Sequence, residues 1–187
     1  MSDHLNYIFK ELIKETGKVE DLFQKECEIW VKRELKCELV ILGEAPLTTK
    51  QFFYNKKTGK YLSFLKQHYL EAKEFKDDEF KEFLRVKGIL NLDIYKYPLP
   101  TNFYDNDKSS ILFDEIFVKN KISSLTAMGI INANTKYVYR YQKLIDRELH
   151  LKEPFISLQK ENHITEEAIA IGANAGNINR NLLDCLP

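Results

Sequence analysis

The chain lacks the features that mark membrane and secreted proteins. Among its 187 residues, no stretch approaches the roughly 18 to 20 apolar residues of a transmembrane helix. The start is polar and acidic, with no apolar segment behind it, so no secretory signal is expected. The three cysteines, Cys27, Cys37 and Cys185, are an odd number and contain no CxxC pair. These absences predict a reduced, cytoplasmic protein with no disulfide framework and no membrane partner.

The chain also lacks net charge. Lys plus Arg and Asp plus Glu number 28 each, which gives a formal net charge of zero. Non-specific affinity for nucleic acid comes mainly from neutralising phosphates, so any contact with DNA must use a local patch. The four histidines are scattered and show no HExxH or HxH spacing. We therefore expect no metal site and no cofactor.

The apolar content is sufficient for one folded core. Hydrophobic residues make up 44% of the chain, and its length fits a single domain over residues 1–187. Residues 1–36 have apolar side chains at helical spacing and predict a helical N-terminal extension, with a first helix that Gly17 ends. Trp30 on the apolar face makes oligomerisation through these helices a further possibility. The oligomeric state itself stays unknown.

Short apolar runs alternate with helical patterns in the rest of the chain. The runs predict strands over residues 39–42, 89–95, 127–132 and 154–158. A helix is predicted to begin near Asn134. This alternation indicates an α/β fold, a three-layer αβα arrangement around a roughly four-stranded parallel sheet.

Polar residues stand at or just after the ends of three of these predicted strands. They are Glu44, Asp93 and His163. In open parallel sheets, ligands bind beyond the carboxyl ends of the strands. Two carboxylates and an imidazole are therefore expected to converge on one edge of the sheet.

Three segments of the chain resemble one known family. Residues 41–46 (ILGEAP) resemble the first motif of the uracil-DNA glycosylase superfamily, closest to its GEAPG-bearing branches. Residues 90–100 (LNLDIYKYPLP) are similar to the family's strand that ends in Asn, with Asp93 at the Asn position. Residues 163–165 follow a predicted strand and are similar to the family's His-Pro-Ser motif. The resemblance covers residues 39–165.

The resemblance implies a DNA glycosylase, which flips a nucleotide out of the stack and hydrolyses the bond between sugar and base. Glu44 would be the catalytic carboxylate that stabilises an oxocarbenium-like transition state or orients water. His163 would donate a hydrogen bond to the departing base. The implied substrate-binding residues are Gly43, Ala45, Pro46, Phe53, Tyr54 and Asp93, with Phe53 or Tyr54 stacking on the base.

Several points stay open at this stage. An ionised Asp93 accepts hydrogen bonds only, which suits a base edge rich in donors, or else it is a structural carboxylate paired with Lys96. Tyr97 stands where one branch of the family has a cysteine, so no iron–sulfur cluster is expected. The implied partner is DNA or another nucleobase-containing ligand. The alternative function is a catalytically inactive nucleic-acid or nucleotide-binding module of the same fold, and the base recognised is not predicted.

Overall fold

The structure of the chain, a computed structural model, describes residues 3–43, 53–54, 60–93, 115–139, 169–170 and 186–187. Glu44, Ala45, Pro46, His163 and the predicted strand over residues 154–158 lie outside the described residues. The helices are α1 (Asp3–Lys32), α2 (Lys60–His68), α3 (Asp77–Val86) and α4 (Glu115–Ala127), with a 3₁₀ turn at Leu70–Ala72. The strands are β1 (Leu39–Gly43), β2 (Ile89–Asp93), β3 (Lys136–Tyr139) and β4 (Ile169–Ala170).

The N-terminal segment is one continuous helix, so the prediction that Gly17 ends a first helix is wrong. The buried face of α1 continues beyond Gly17 through Val19, Phe23, Cys27 and Trp30, spaced three or four residues apart. A glycine inside a helix costs about 1 kcal/mol relative to alanine. Burial of this apolar face offsets that cost, and the helix therefore runs through the glycine.

The sheet is parallel and has β1 near its centre, which confirms the α/β prediction. β1 pairs with β2 on one side and with β3 on the other, and the strand order is β2-β1-β3-β4. The two residues of β4 pair in parallel with β3. Every residue of β1 is buried, as expected for a parallel strand covered on both faces. The continuous apolar run of the sequence thus corresponds to the inner strand.

The predictions for residues 127–132 and for a helix beginning near Asn134 are wrong. Residues 128–135 form turns and irregular chain after α4, and Lys136–Tyr139 is a strand. Ile130 and Ile131 are buried without pairing in the sheet. Short apolar runs do not distinguish a strand from a buried connection, and here Gly129, with φ of 68°, turns the chain instead.

One face of the sheet packs against α2 and α3. This core contains aromatic and aliphatic side chains from both helices and from all three longer strands. Its buried members are Leu39, Ile41, Tyr61, Leu62, Leu65, Tyr69, Ala72, Phe80, Leu84, Ile89 and Val138. Among the described helices, none combines the length and the apolar character that crossing a bilayer requires. The carboxyl ends of β1 and β2 stand at one rim of this core.

Candidate functional site

The carboxyl ends of β1 and β2 lie side by side. Their parallel register makes Gly43 the partner of Asp93, the last residue of β2. The next two strands along the chain lie on opposite sides of β1, β2 on one side and β3 on the other. Such a reversal of strand order creates a crevice between the carboxyl ends of β1 and β3, where open α/β sheets bind ligands, and the end of β1 borders it. The residue that follows Gly43 in the chain is Glu44.

Three aromatic rings form a cluster beside β2. The ring of Phe53 lies 5.1 Å from that of Tyr54 at an interplanar angle of 88°, and 5.8 Å from that of Tyr61 at 60°. Edge-to-face pairs of this kind contribute about 0.5–1.5 kcal/mol beyond burial. Phe53 and Tyr54 are both half-buried, whereas Tyr61 on α2 is buried. The structure therefore brings the predicted stacking residues next to β2.

The Tyr54 hydroxyl covers the outer edge of β2. It accepts a hydrogen bond from the backbone N–H of Asn91 at 2.8 Å and donates to the backbone oxygen of Asn91 at 3.2 Å. Since β2 is the end strand of the described sheet, these two groups have no neighbouring strand to pair with. Burial raises the pKa of Tyr54 well above its ordinary value, and the Glu26 carboxylate raises it further. The phenol therefore stays protonated and can fill both roles.

Asn91 is a buried polar residue that the sequence analysis did not select. Its Oδ1 accepts a hydrogen bond from the Tyr61 hydroxyl at 2.9 Å, and the residue is 8% exposed. Its Nδ2 has no hydrogen-bond partner among the described residues. In the sequence, Asn91 was recognisable as an amide between Leu90 and Leu92 in a predicted buried strand. Burial of such a side chain costs free energy unless it is hydrogen-bonded.

Buried charges form a second polar cluster, between α1 and α3. Arg85 donates to both oxygens of Glu26, at 2.6 Å and 2.8 Å, and the indole Nε1 of Trp30 donates to Glu26 Oε1 at 2.8 Å. Arg85 also donates to Glu82, which in turn pairs with Arg33. Burial acts to lower the pKa of Arg85, but its hydrogen bonds to Glu26 outweigh this effect and raise it. This cluster fixes α1 to α3.

Lys81 holds the segment that carries Tyr54. The ammonium group is buried, donates to the backbone oxygen of Tyr54 at 3.3 Å and lies 3.4 Å from Asp78 Oδ1. The positive charge of Lys81 therefore already has acceptors within the chain.

A cavity of about 530 Å³ lies at the opposite, amino ends of the strands. Its lining includes Lys36, Asn132, Asn134 and Lys136. Lys36 Nζ donates to the backbone oxygen of Gly129 at 2.9 Å, and Asn132 Oδ1 accepts from the backbone N–H of Asn134 at 2.8 Å. Several polar groups of this lining thus have partners within the chain.

The described part of the chain contains no group of three His, Cys, Asp or Glu side chains placed to hold a metal ion. No protein-family model matches the sequence, and searches of curated proteins and of solved structures return no match. Arguments about function therefore depend on the residues and geometry of this chain.

Proposed function

We propose that the chain is a glycosylase-like protein that binds a nucleobase of DNA at the carboxyl ends of β1 and β2 and hydrolyses its N-glycosidic bond. The observation that carries the proposal is the parallel register in which Gly43 pairs with Asp93. This register aligns residues 41–43 of the first motif with residues 91–93 of the second, although 50 positions separate Gly43 and Asp93 in the chain. The carboxyl end of β1 also borders the crevice expected between β1 and β3.

In this proposal Glu44 and His163 have separate roles. Glu44, one peptide bond beyond Gly43, stabilises positive charge on the sugar or orients the attacking water. His163 donates a hydrogen bond to the base as it departs with negative charge. The proposed fold is a three-layer αβα domain with a four-stranded parallel sheet, and the proposed compartment is the cytoplasm.

The contacts favour Phe53 over Tyr54 as the ring that stacks on the base. Tyr54 is held by its hydroxyl against the backbone of Asn91, and its own backbone oxygen accepts from Lys81. Stacking by Tyr54 would require leaving these contacts. Phe53 has no polar atom in its side chain and is half-buried, so a base can pack on it without loss of a hydrogen bond.

A binding module without catalysis is the second candidate. Asp93 favours this candidate, because it stands at the position of the family's Asn. An ionised carboxylate there accepts hydrogen bonds and donates none, unlike the amide of Asn. An active enzyme of the proposed kind and such a module both bind a nucleobase. They differ in whether an abasic site is formed.

An excision assay tests the proposal. Single- and double-stranded oligonucleotides carrying uracil, hypoxanthine or xanthine are incubated with the protein, and abasic sites are scored by alkaline strand cleavage. We expect abasic product from at least one of these bases. We expect Glu44→Gln to reduce its rate on the order of 100-fold or more, because the charge that stabilises the transition state is lost. Glu38→Gln, an exposed carboxylate at the other end of the sheet, is the matched control and should leave the rate unchanged.

The outcomes separate the two candidates. Abasic product that depends on Glu44 supports the enzyme. Salt-sensitive binding of DNA without abasic product supports the module. Excision that Glu44→Gln leaves unchanged contradicts the assigned carboxylate.

A further inference from the structure

Phe53 contacts two phenol rings that are both hydrogen-bonded to the same residue of β2. Its ring lies 5.1 Å from that of Tyr54 and 5.8 Å from that of Tyr61, in edge-to-face arrangements. The Tyr54 hydroxyl binds the backbone N–H and the backbone oxygen of Asn91, at 2.8 Å and 3.2 Å. The Tyr61 hydroxyl donates to Asn91 Oδ1 at 2.9 Å. Both of these ring partners of Phe53 are therefore fixed to β2 through one residue.

The backbone next to Phe53 is held as well. The buried ammonium group of Lys81, on α3, donates to the backbone oxygen of Tyr54 at 3.3 Å. Tyr61 belongs to α2, so its hydrogen bond joins that helix to β2. Side chains from α2, α3 and β2 thus restrain the segment that carries Phe53. Displacement of its ring relative to β2 would disturb at least one of these contacts.

The Phe53 ring is not enclosed by the packing around it. It packs against the edge of the hydrophobic core and is half-buried, so part of the ring is accessible. A half-buried side chain keeps rotamer freedom that a ligand must remove on binding. The contacts with Tyr54 and Tyr61 restrict this freedom from the protein side. A ring that is fixed in advance loses less conformational entropy when a ligand packs on it.

We infer that Tyr54 and Tyr61 are positioning residues that hold Phe53 in the orientation in which a nucleobase stacks on it. The inference deepens the proposed function and rests on it. The two tyrosines act through Phe53, because their hydroxyls are engaged by Asn91 and their rings contact the Phe53 ring. Removal of either hydroxyl keeps the aromatic surface but releases the phenol from β2. The Phe53 ring then gains freedom, and stacking weakens.

A double-mutant cycle of DNA binding tests this inference. The probe is a fluorescein-labelled single strand with one 2′-fluoro-2′-deoxyuridine. Its fluorine destabilises positive charge on the sugar, so the base stays attached during the titration. Anisotropy gives the dissociation constants of the wild type, Phe53→Ala, Tyr54→Phe and Tyr61→Phe. The two tyrosine substitutions are also measured in the Phe53→Ala background.

The expected losses follow from the contacts removed. Phe53→Ala should raise the dissociation constant about tenfold, or about 1.4 kcal/mol, within the range for stacking of one base. Tyr54→Phe and Tyr61→Phe should each raise it about three- to fivefold, since each removes only the hydrogen bonds of one hydroxyl. In the Phe53→Ala background, neither tyrosine substitution should weaken binding further. A purely structural role of the tyrosines would not produce this dependence on Phe53.

Tyr69→Phe is the matched control. It also removes a phenol hydroxyl, which donates to the backbone oxygen of Pro187 at 3.0 Å, beside the cavity at the amino ends of the strands. This variant should bind the probe as tightly as the wild type. Thermal melts followed by circular dichroism show which variants are folded.

Three results would overturn the inference. They are wild-type affinity in a folded Tyr54→Phe or Tyr61→Phe variant, a similar loss of affinity in both backgrounds, and unchanged binding by Phe53→Ala. A wild type that does not bind the probe would overturn it as well. Abasic product in the excision assay judges the proposed function independently of these titrations.

Discussion

The α1–α3 interface and the middle of β2 both bury polar groups, but they satisfy them to different degrees. At the interface, the Glu26 carboxylate is 3% exposed and receives hydrogen bonds from Arg85 and from the Trp30 indole. In β2, Asn91 is nearly as buried, and one half of its amide has no partner among the described residues.

The difference predicts that the two polar groups contribute unequally to stability. A buried charge pair with complete hydrogen bonding needs no functional explanation. Removal of either member leaves the other charge buried without a partner, which is strongly destabilising. A buried donor without an acceptor lowers stability instead. The Glu26–Arg85 pair is therefore expected to stabilise the packing of α1 on α3, whereas the amide of Asn91 should contribute little.

The largest predicted effect is the loss of Arg85. Arg85→Met leaves the Glu26 carboxylate buried without its cation and should lower the free energy of unfolding by about 3–5 kcal/mol. The measurement is urea denaturation followed by circular dichroism. Arg33→Met is the control, because Arg33 and Glu82 are 41% and 40% exposed and their pair should contribute less than about 1 kcal/mol. Equal losses of unfolding free energy in the two variants would show that the buried Glu26–Arg85 pair contributes no more than the exposed Arg33–Glu82 pair.

A smaller effect, or a gain, is predicted at Asn91. Asn91→Leu removes one hydrogen bond with Tyr61 but also removes the buried unpaired donor, so the free energy of unfolding should stay within about 1 kcal/mol of the wild type or rise. Thr135→Val is the contrasting variant. Thr135 is 1% exposed, and its hydroxyl both donates and accepts. Its loss leaves two backbone groups without partners and should cost about 1–3 kcal/mol.

Chemical denaturation of both variants distinguishes the two kinds of buried polar group. A loss at Asn91 as large as that at Thr135 would mean that the amide has a structural partner, and the contrast between interface and strand would disappear.

The sheet could be predicted where a strand is mostly apolar. Residues 39–42 are a continuous apolar run, residues 89–92 are apolar except for Asn91, and both segments are strands of the described sheet. The sequence pattern predicted the wrong element where tertiary packing determines the local structure. Ile130 and Ile131 are apolar enough for a strand, but they fill the connection after α4, and the less apolar segment Lys136–Tyr139 pairs with β1.

Prediction of the site was limited for a similar physical reason. The strand-end rule leads directly to Gly43 and Asp93, because a parallel register aligns the ends of neighbouring strands. The importance of Asn91 depends on which of its atoms lacks a partner, and that follows from the positions of Tyr54 and Tyr61 in space. Spacing along the chain contains no such information. The interaction of the Tyr54 hydroxyl with the edge of β2 could not be predicted for the same reason.

The most direct test of the central claim is an NMR titration of the backbone amides. The ¹⁵N-labelled protein is titrated with a uracil-containing single strand, and the backbone N–H resonances are followed. We predict saturable shifts for Gly43 and Asp93, because a base bound at the carboxyl ends of β1 and β2 changes their surroundings, and unchanged resonances for Asn132 and Asn134 in the cavity at the amino ends of the strands. Saturable shifts at Asn132 and Asn134 with none at Gly43 or Asp93 would contradict the account.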